Sequence, residues 1–337
     1  MYSGIWRRRE KKTNKREQGR DKRMAEYIFG VDVGGTSVKM GIFDMEGTVV
    51  DKWEIPTRTE NGGENILPDI ADSINQKMAK EQYTKENIAG IGIAVPGPVN
   101  DAGVVNKAVN LGWGVTPVRE TMEKLCGVPV QVGNDANVAA LGEMWKGGGQ
   151  GYTSLVVVTL GTGIGGGVIV DGRLVTGADG AGGEIGHMHV MDGEEDSCNC
   201  GCKGCLEQYG SATGIVRLAK RVLDRTQEPS VLREKEVTAK AVFDAVKTGD
   251  KTAIMIAEEF GEILGKGLAM IASVLNPAAF VVGGGVSKAG EILFEYIRPA
   301  FEKYVFPGAK NAKFVLATLG NDAGIYGSAK LVLDTVQ

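Results

Sequence analysis

The chain has 337 residues, 43% of them hydrophobic and 24% charged, which suits about two packed domains and excludes a disordered linker protein. The formal charge is −4, and no uninterrupted apolar run reaches the ~18 residues a membrane span needs. Neither nucleic acid nor a membrane is an expected partner. Glycine is the outlier at 50 residues, about twice the usual share. It follows no collagen period, so it marks places where backbone approaches something closely.

Residues 1–23 carry ten Lys/Arg against three Asp/Glu and have no apolar core of signal-peptide type. Residues 1–24 are expected to form a disordered basic extension ahead of the folded chain. Tyr27–Val33 then reads as a strand, Gly34-Gly35-Thr36 as a turn and Ser37–Asp44 as a second strand. The pattern returns 127 residues on: Leu155–Leu160, the turn Gly161-Thr162-Gly163, and Ile164–Asp171. That shift sets Asp32 on Thr159, Gly34 on Gly161 and Asp44 on Asp171. Two halves opening with the same hairpin predict duplicated domains.

Between the hairpins, ILPDIADSINQKMAK reads as an amphipathic helix, and IAGIGIAV and VPVQVG as strands. Asn134-Asp135-Ala136-Asn137 reads as a capped turn into the helix VAALGEMW. Later come the long helix DKTAIMIAEEFGEILGKGLAMIASVL, the strand AAFVV with Gly283-Gly284-Gly285 after it, and the strand KFVLATLG. Asn321-Asp322-Ala323-Gly324 is a second strand-to-helix turn, with Asp322 read as a helix cap. Strands alternating with helices give an α/β class.

Gly161-x-Gly163-x-x-Gly166 matches the dinucleotide pattern, but a strand follows where that fingerprint needs a helix. No Walker-type loop is present either. Three glycine clusters, each after an apolar strand, instead point to a nucleotide held between two lobes, because turn N–H groups form anion-binding concavities. Such a cradle recognises phosphate rather than adenine, so polyphosphate as donor stays open. Lys39 is read as a solvated strand lysine. Trp113 and Trp145 are read as packing, and Cys126 as core.

Cys198, Cys200, Cys202 and Cys205 place four thiols in eight residues, just after His187 and His189, the two histidines of the chain. Thiolate and imidazole at this spacing favour a structural, tetrahedral Zn²⁺, held either by four cysteines or by three with a histidine. His189, expected on a strand facing the same way as His187, is read as structural. Crowded thiols in a chain this long suit a reducing compartment, so a cytoplasmic location is expected.

DVGGTSVKMGIFD, VPGPV, NDAN, TLGTGIGGG, GGEIGH, CNCGCKGCLE and VVGGGVS, in this order, resemble the ROK family of bacterial sugar kinases and sugar-responsive repressors. The resemblance runs from about Tyr27 to the C-terminus and is greatest to the ATP-dependent glucokinases of Gram-positive bacteria. It implies the actin-like ATPase (ribonuclease H-like) fold, with two lobes around a cleft: 25–134 plus 321–337, and 135–320 with the zinc loop. It implies transfer of the ATP γ-phosphoryl group to the 6-hydroxyl of glucose, with Asp135 as general base. Gly97, Asn134, Glu184, His187 and Glu207 match sugar-binding positions. Asp32, Gly34, Gly35 and Thr36 match the first phosphate loop, Thr159, Gly161, Thr162 and Gly163 the second, and Gly283, Gly284 and Gly285 the adenosine segment. Mg²⁺ accompanies the ATP, and Asp32 suits a water-mediated contact to it. Zn²⁺ falls to His187, Cys198, Cys200 and Cys205, with Cys202 at a variable position. A homodimer is implied as well. Fructose, mannose, N-acetylglucosamine and N-acetylmannosamine are the alternative sugars. A repressor is not expected, because the residues ahead of the first strand lack the periodicity of a winged helix-turn-helix.

Overall fold

The computed structural model describes residues 25–336; the expected basic extension, 1–24, lies outside them. Strands β1 (Tyr27–Val33), β2 (Ser37–Asp44) and β3 (Val49–Pro56) form an antiparallel meander. Along β3 half-buried and exposed residues alternate strictly, as on an edge strand with one wet face. A short turn, α1 (Glu60–Gly63), leads into α2 (Ile66–Glu81), which buries Ile66, Ile70, Ile74 and Met78 at four-residue spacing. Strand β4 (Ile88–Val95), buried along its whole length, runs parallel to β1. A two-stranded ribbon, β5 (Val104–Val105) and β6 (Thr116–Pro117), precedes α3 (Val118–Cys126) and β7 (Val130–Asn134). The sheet order is β3-β2-β1-β4-β7.

Helix α4 (Asp135–Lys146) leads into the second half. There β8 (Leu155–Leu160), β9 (Ile164–Val170) and β10 (Arg173–Leu174) repeat the meander. Helices α5 (Glu207–Gly210), α6 (Ala212–Arg225), α7 (Ala239–Lys247) and the long α8 (Lys251–Leu275) follow. Then come β11 (Ala279–Gly283), α9 (Ile292–Tyr304), β12 (Lys313–Leu316) and α10 (Ala323–Val336). The second sheet runs β10-β9-β8-β11-β12, the first sheet's topology strand for strand. The two hairpins differ by one residue. Val33 pairs with Val38 across residues 34–37, whereas Leu160 pairs with Ile164 across 161–163. Gly161–Gly166 is thus a hairpin turn entering a strand, the context that excludes a dinucleotide fingerprint.

Two helices join the halves. Ala140 and Leu141 of α4 pack on Leu155, Val157 and Ile169 of the second sheet, while Ile325, Ala329 and Val332 of α10 pack on Ile28 and Phe43 of the first. They cross each other almost backbone to backbone: a Cβ on Gly327 would lie 1.7 Å from Val138 O, and one on Gly142 2.3 Å from Ala323 O. Buried Glu143 fixes the crossing by accepting N–H bonds from Thr318 and Leu319, each at 3.0 Å, and from Gly148 at 2.8 Å. This is the actin-like ATPase fold that the motifs implied. Trp113 and Cys126 are core residues as expected. Among the described residues no helix is long and apolar enough to cross a membrane.

Candidate active site

Asp32 sits near the end of β1, and α10 comes directly over it: a Cβ on Gly324 would lie 2.4 Å from its carboxylate. Burial, and Asp135 beside it, push Asp32 up to about 6, while Lys39 partly counters them. Lys39 was expected in solvent. It is half-buried, pairs across the ladder with Asp32 and donates to Asn321 O at 3.2 Å.

The first glycine turn, Gly34-Gly35-Thr36, follows at once. Its carbonyls are turned into the protein: Thr57 Oγ1 donates to Gly34 O at 2.7 Å, and Thr57 N to Thr36 O at 2.9 Å. The second turn is treated alike. Ala212 N donates to Gly161 O at 2.8 Å and Thr213 Oγ1 to Thr162 O at 2.7 Å, while Gly161 N is closed onto Gly163 O. With carbonyls that would repel a phosphate occupied, the exposed faces at Gly35, Thr36 and Thr162 suit an anion. Thr159 lies on β8, paired with Gly165 and Gly283.

The third cluster divides its labour. Gly283 is buried at the end of β11, and Gly284, at φ +84°, passes so close to β8 that a Cβ would lie 2.5 Å from Leu160 O. Gly285 opens onto a cavity of about 130 Å³ closed by Ala239, Lys240 and Phe243 of α7. Thr57, Thr213 and these α7 residues carry no motif of their own, and sequence reading missed them.

Asp135 is the first residue of α4. Asn134 is the cap, accepting from Asn137 N at 3.1 Å, and its Nδ2 donates to Gly97 O at 3.2 Å. Gly97 needs its φ of +92°, since a Cβ there would lie 2.3 Å from Lys107 O. Because Asn134 caps the helix, the Asp135 carboxylate is left for other work. Burial raises its pKa above the ordinary aspartate value; the Ala136 N–H partly counters this, and Glu184 adds to it. At the other turn, Asp322 does not act as the expected cap: its carboxylate bonds Lys52 Nζ at 2.6 Å.

Glu184 is exposed and ends the loop that leads into a 3-10 turn at Ile185–His187, where a strand was expected. His187 Nε2 faces Glu184 at 3.8 Å, and its Nδ1 faces Glu207 at 3.8 Å. Glu207 opens α5 and faces inward, accepting from Cys198 Sγ at 2.8 Å and from Ile164 N at 3.3 Å. It therefore ties the cysteine loop to the second glycine turn. Cys198 Sγ lies 3.6 Å from His187 Nδ1, Cys200 Sγ lies 3.7 Å from Cys205 Sγ, and all four ligand atoms fall within 4.8 Å of one another. Tetrahedral zinc–sulfur bonds of about 2.3 Å set ligand atoms about 3.7 Å apart, so this donor set fits Zn²⁺. Cys202 is exposed and outside the group. His189 braces the loop, with its ring nitrogens 2.9 Å from Lys203 O and from Asp192 Oδ1.

Twin α/β lobes, glycine turns on both hairpins and a carboxylate at the joining helix define a protein of the actin-like ATPase class. The ROK family pattern matches residues 28–335. The chain is 43% identical to the glucokinase of Halalkalibacterium halodurans, over 91% of this chain and 94% of that protein. Among solved structures it is similar to a ROK hexokinase from Thermus thermophilus, with a TM-score of 0.77 and 31% identity, covering 92% of this chain and 99% of that one. It is similar too to a ROK family glucokinase from Streptomyces griseus in complex with glucose and AMPPNP, with a TM-score of 0.69 and 35% identity, covering 90% and 98%. The chain belongs to the ROK family.

Proposed function

We propose that this protein is a glucokinase, moving the γ-phosphoryl group of ATP to the 6-hydroxyl of glucose. The observation that carries the reading is the placement of Asp135 in the first turn of the joining helix, half-buried, with Asn134 taking the cap so that the Asp135 carboxylate is free to act on a substrate. A carboxylate of raised basicity within reach of a hydroxyl takes its proton as the new phosphate–oxygen bond forms. Gly34, Gly35, Thr36, Gly161, Thr162 and Gly163 hold and align the phosphates, which is most of what phosphoryl transfer asks of a protein. The buried oxygen donor Asp32 fits Mg²⁺ through water, and that ion supplies charge neutralisation at the phosphates. The cavity between Gly285 and α7 receives the adenosine end.

Asn134, Glu184, the Nε2 edge of His187 and Glu207 bond the sugar hydroxyls, and Gly97 shapes the loop beside them. A site built on such bonds rejects sugars that lack them. Zn²⁺ at His187, Cys198, Cys200 and Cys205 would hold structure, because its four positions are all taken by protein. With Nδ1 on the metal side, the His187 ring presents Nε2 to the sugar in a fixed orientation.

ADP release from Mg-ATP, measured across glucose, mannose, fructose, N-acetylglucosamine and N-acetylmannosamine, tests the reading. Glucose should give the highest kcat/KM. A higher value for another sugar would correct the substrate, and release that ignores every sugar would defeat the kinase assignment.

A further inference from the structure

We propose that Asn137 is a positioning residue for sugar recognition: its buried amide locks the loop carrying Glu184 to the helix carrying Asp135. The inference rests on the glucokinase reading above. Asn137 is the third residue of α4 and is 2% exposed. Its backbone N–H completes the Asn134 cap, and its Nδ2 donates to Gly182 O at 3.2 Å, 45 residues away in sequence. Gly182 lies two residues before Glu184. One side chain thus spans from the first turn of the base helix to the backbone that sets the sugar-side carboxylate.

The seam it occupies is closed by backbone. A Cβ on Gly183, at φ +91°, would lie 2.9 Å from Gly166 O and 3.0 Å from Asn137 Oδ1. A Cβ on Gly167 would lie 2.3 Å from Ala140 Cβ and 3.1 Å from Ala136 O. Helix α4, the glycine run of β9 and the Glu184 loop therefore meet with no room to slide.

Half of the amide is unused. Asn137 Oδ1 is buried without a hydrogen-bond partner, and an unpaired buried carbonyl is unfavourable. An apolar side chain of the same size would fill the seam without that cost, so the amide contributes placement rather than packing.

Steady-state kinetics of the full-length protein test this with Asn137→Ala, Asn137→Leu, Glu184→Gln and the Asn137→Ala/Glu184→Gln pair. Both Asn137 variants should raise the glucose KM by roughly tenfold or more while the ATP KM stays within about twofold. Glu184→Gln should cost several-fold less in the Asn137→Ala background, because neighbours sharing one interaction are not additive. An unchanged glucose KM, or additive effects, would overturn the proposal. If Asn137→Ala does not fold, Asn137→Leu carries the test alone, since it keeps the branched shape in the seam and loses the amide without adding a charge. A wild-type protein inactive on every sugar defeats the glucokinase reading; an active one with indifferent Asn137 variants defeats this inference.

Discussion

At the residue scale the proposed general base is Asp135, whose carboxylate is spared the capping role because Asn134 accepts from Asn137 N. The sequence showed three small polar residues around Ala136 at a strand-to-helix turn and left open which of them capped. The register of the helix start decides it: Asn134 precedes the first turn and Asp135 lies within it. Burial, together with Glu184, holds Asp135 above the 3.8 of an ordinary aspartate, and neighbouring Asp32 stands at about 6. A general base works ionised, so kcat/KM should fall as pH drops through that raised range and recover as pH rises. The acid limb belongs to the coupled pair. A pH–rate profile that stays flat down to about pH 4, where a solvated aspartate titrates, would contradict the assignment. Lys39, Thr57 and Thr213 were illegible for a common reason: each acts on a partner set by pairing or by distant chain, such as Asn321, 282 residues from Lys39.

Among elements, the hairpins were legible because glycine turns between apolar runs have one reading, whereas the cysteine loop has almost no regular structure to read. That loop is held by its own chemistry. Glu194, with its side chain 3% exposed, accepts from the Tyr209 hydroxyl and pairs with Arg217 and Arg221 of α6. Burial alone would raise Glu194, but these partners outweigh it and hold it down to about 2. The proposed metal would add a further anchor beside His189 and Glu207. Cys200→Ser should lower bound zinc well below one per chain and weaken glucose binding roughly tenfold or more, as when a ligand-orienting group is lost. Metal analysis with titration calorimetry checks both. Zinc-free protein with its fold and glucose affinity intact would sink the structural-zinc role. His187 shows the limit of period-two reasoning: a 3-10 turn, not a strand, aims one nitrogen at the cysteines and the other at Glu184.

On the scale of the whole molecule, the duplicated sheets could be anticipated from the 127-residue offset, but the way they are joined could not. The joint is the crossing of α4 and α10, where glycines let two backbones touch and Glu143 ties α4 to Thr318 and Leu319. Glycines inside helices are usually a cost, and nothing local in the sequence says that Gly142 and Gly327 face another helix. Gly327→Ala should destabilise the protein by about 1–3 kcal/mol, because its Cβ would press on Val138 O and the crossing cannot yield without moving both sheets. Urea unfolding reads this directly, and an unchanged midpoint would mean that the crossing is loose. The same crossing holds α4, and with it Asp135, at the joint between the two sheets.

The most direct test of the central claim is the product formed by wild type and by Asp135→Asn from Mg-ATP and glucose, followed by phosphorus NMR. The account predicts glucose 6-phosphate and ADP in equal amounts from the wild type, with the variant slower by about two to four orders of magnitude but still folded. Phosphate on another hydroxyl, free phosphate without sugar phosphate, or a variant as fast as the wild type would contradict it.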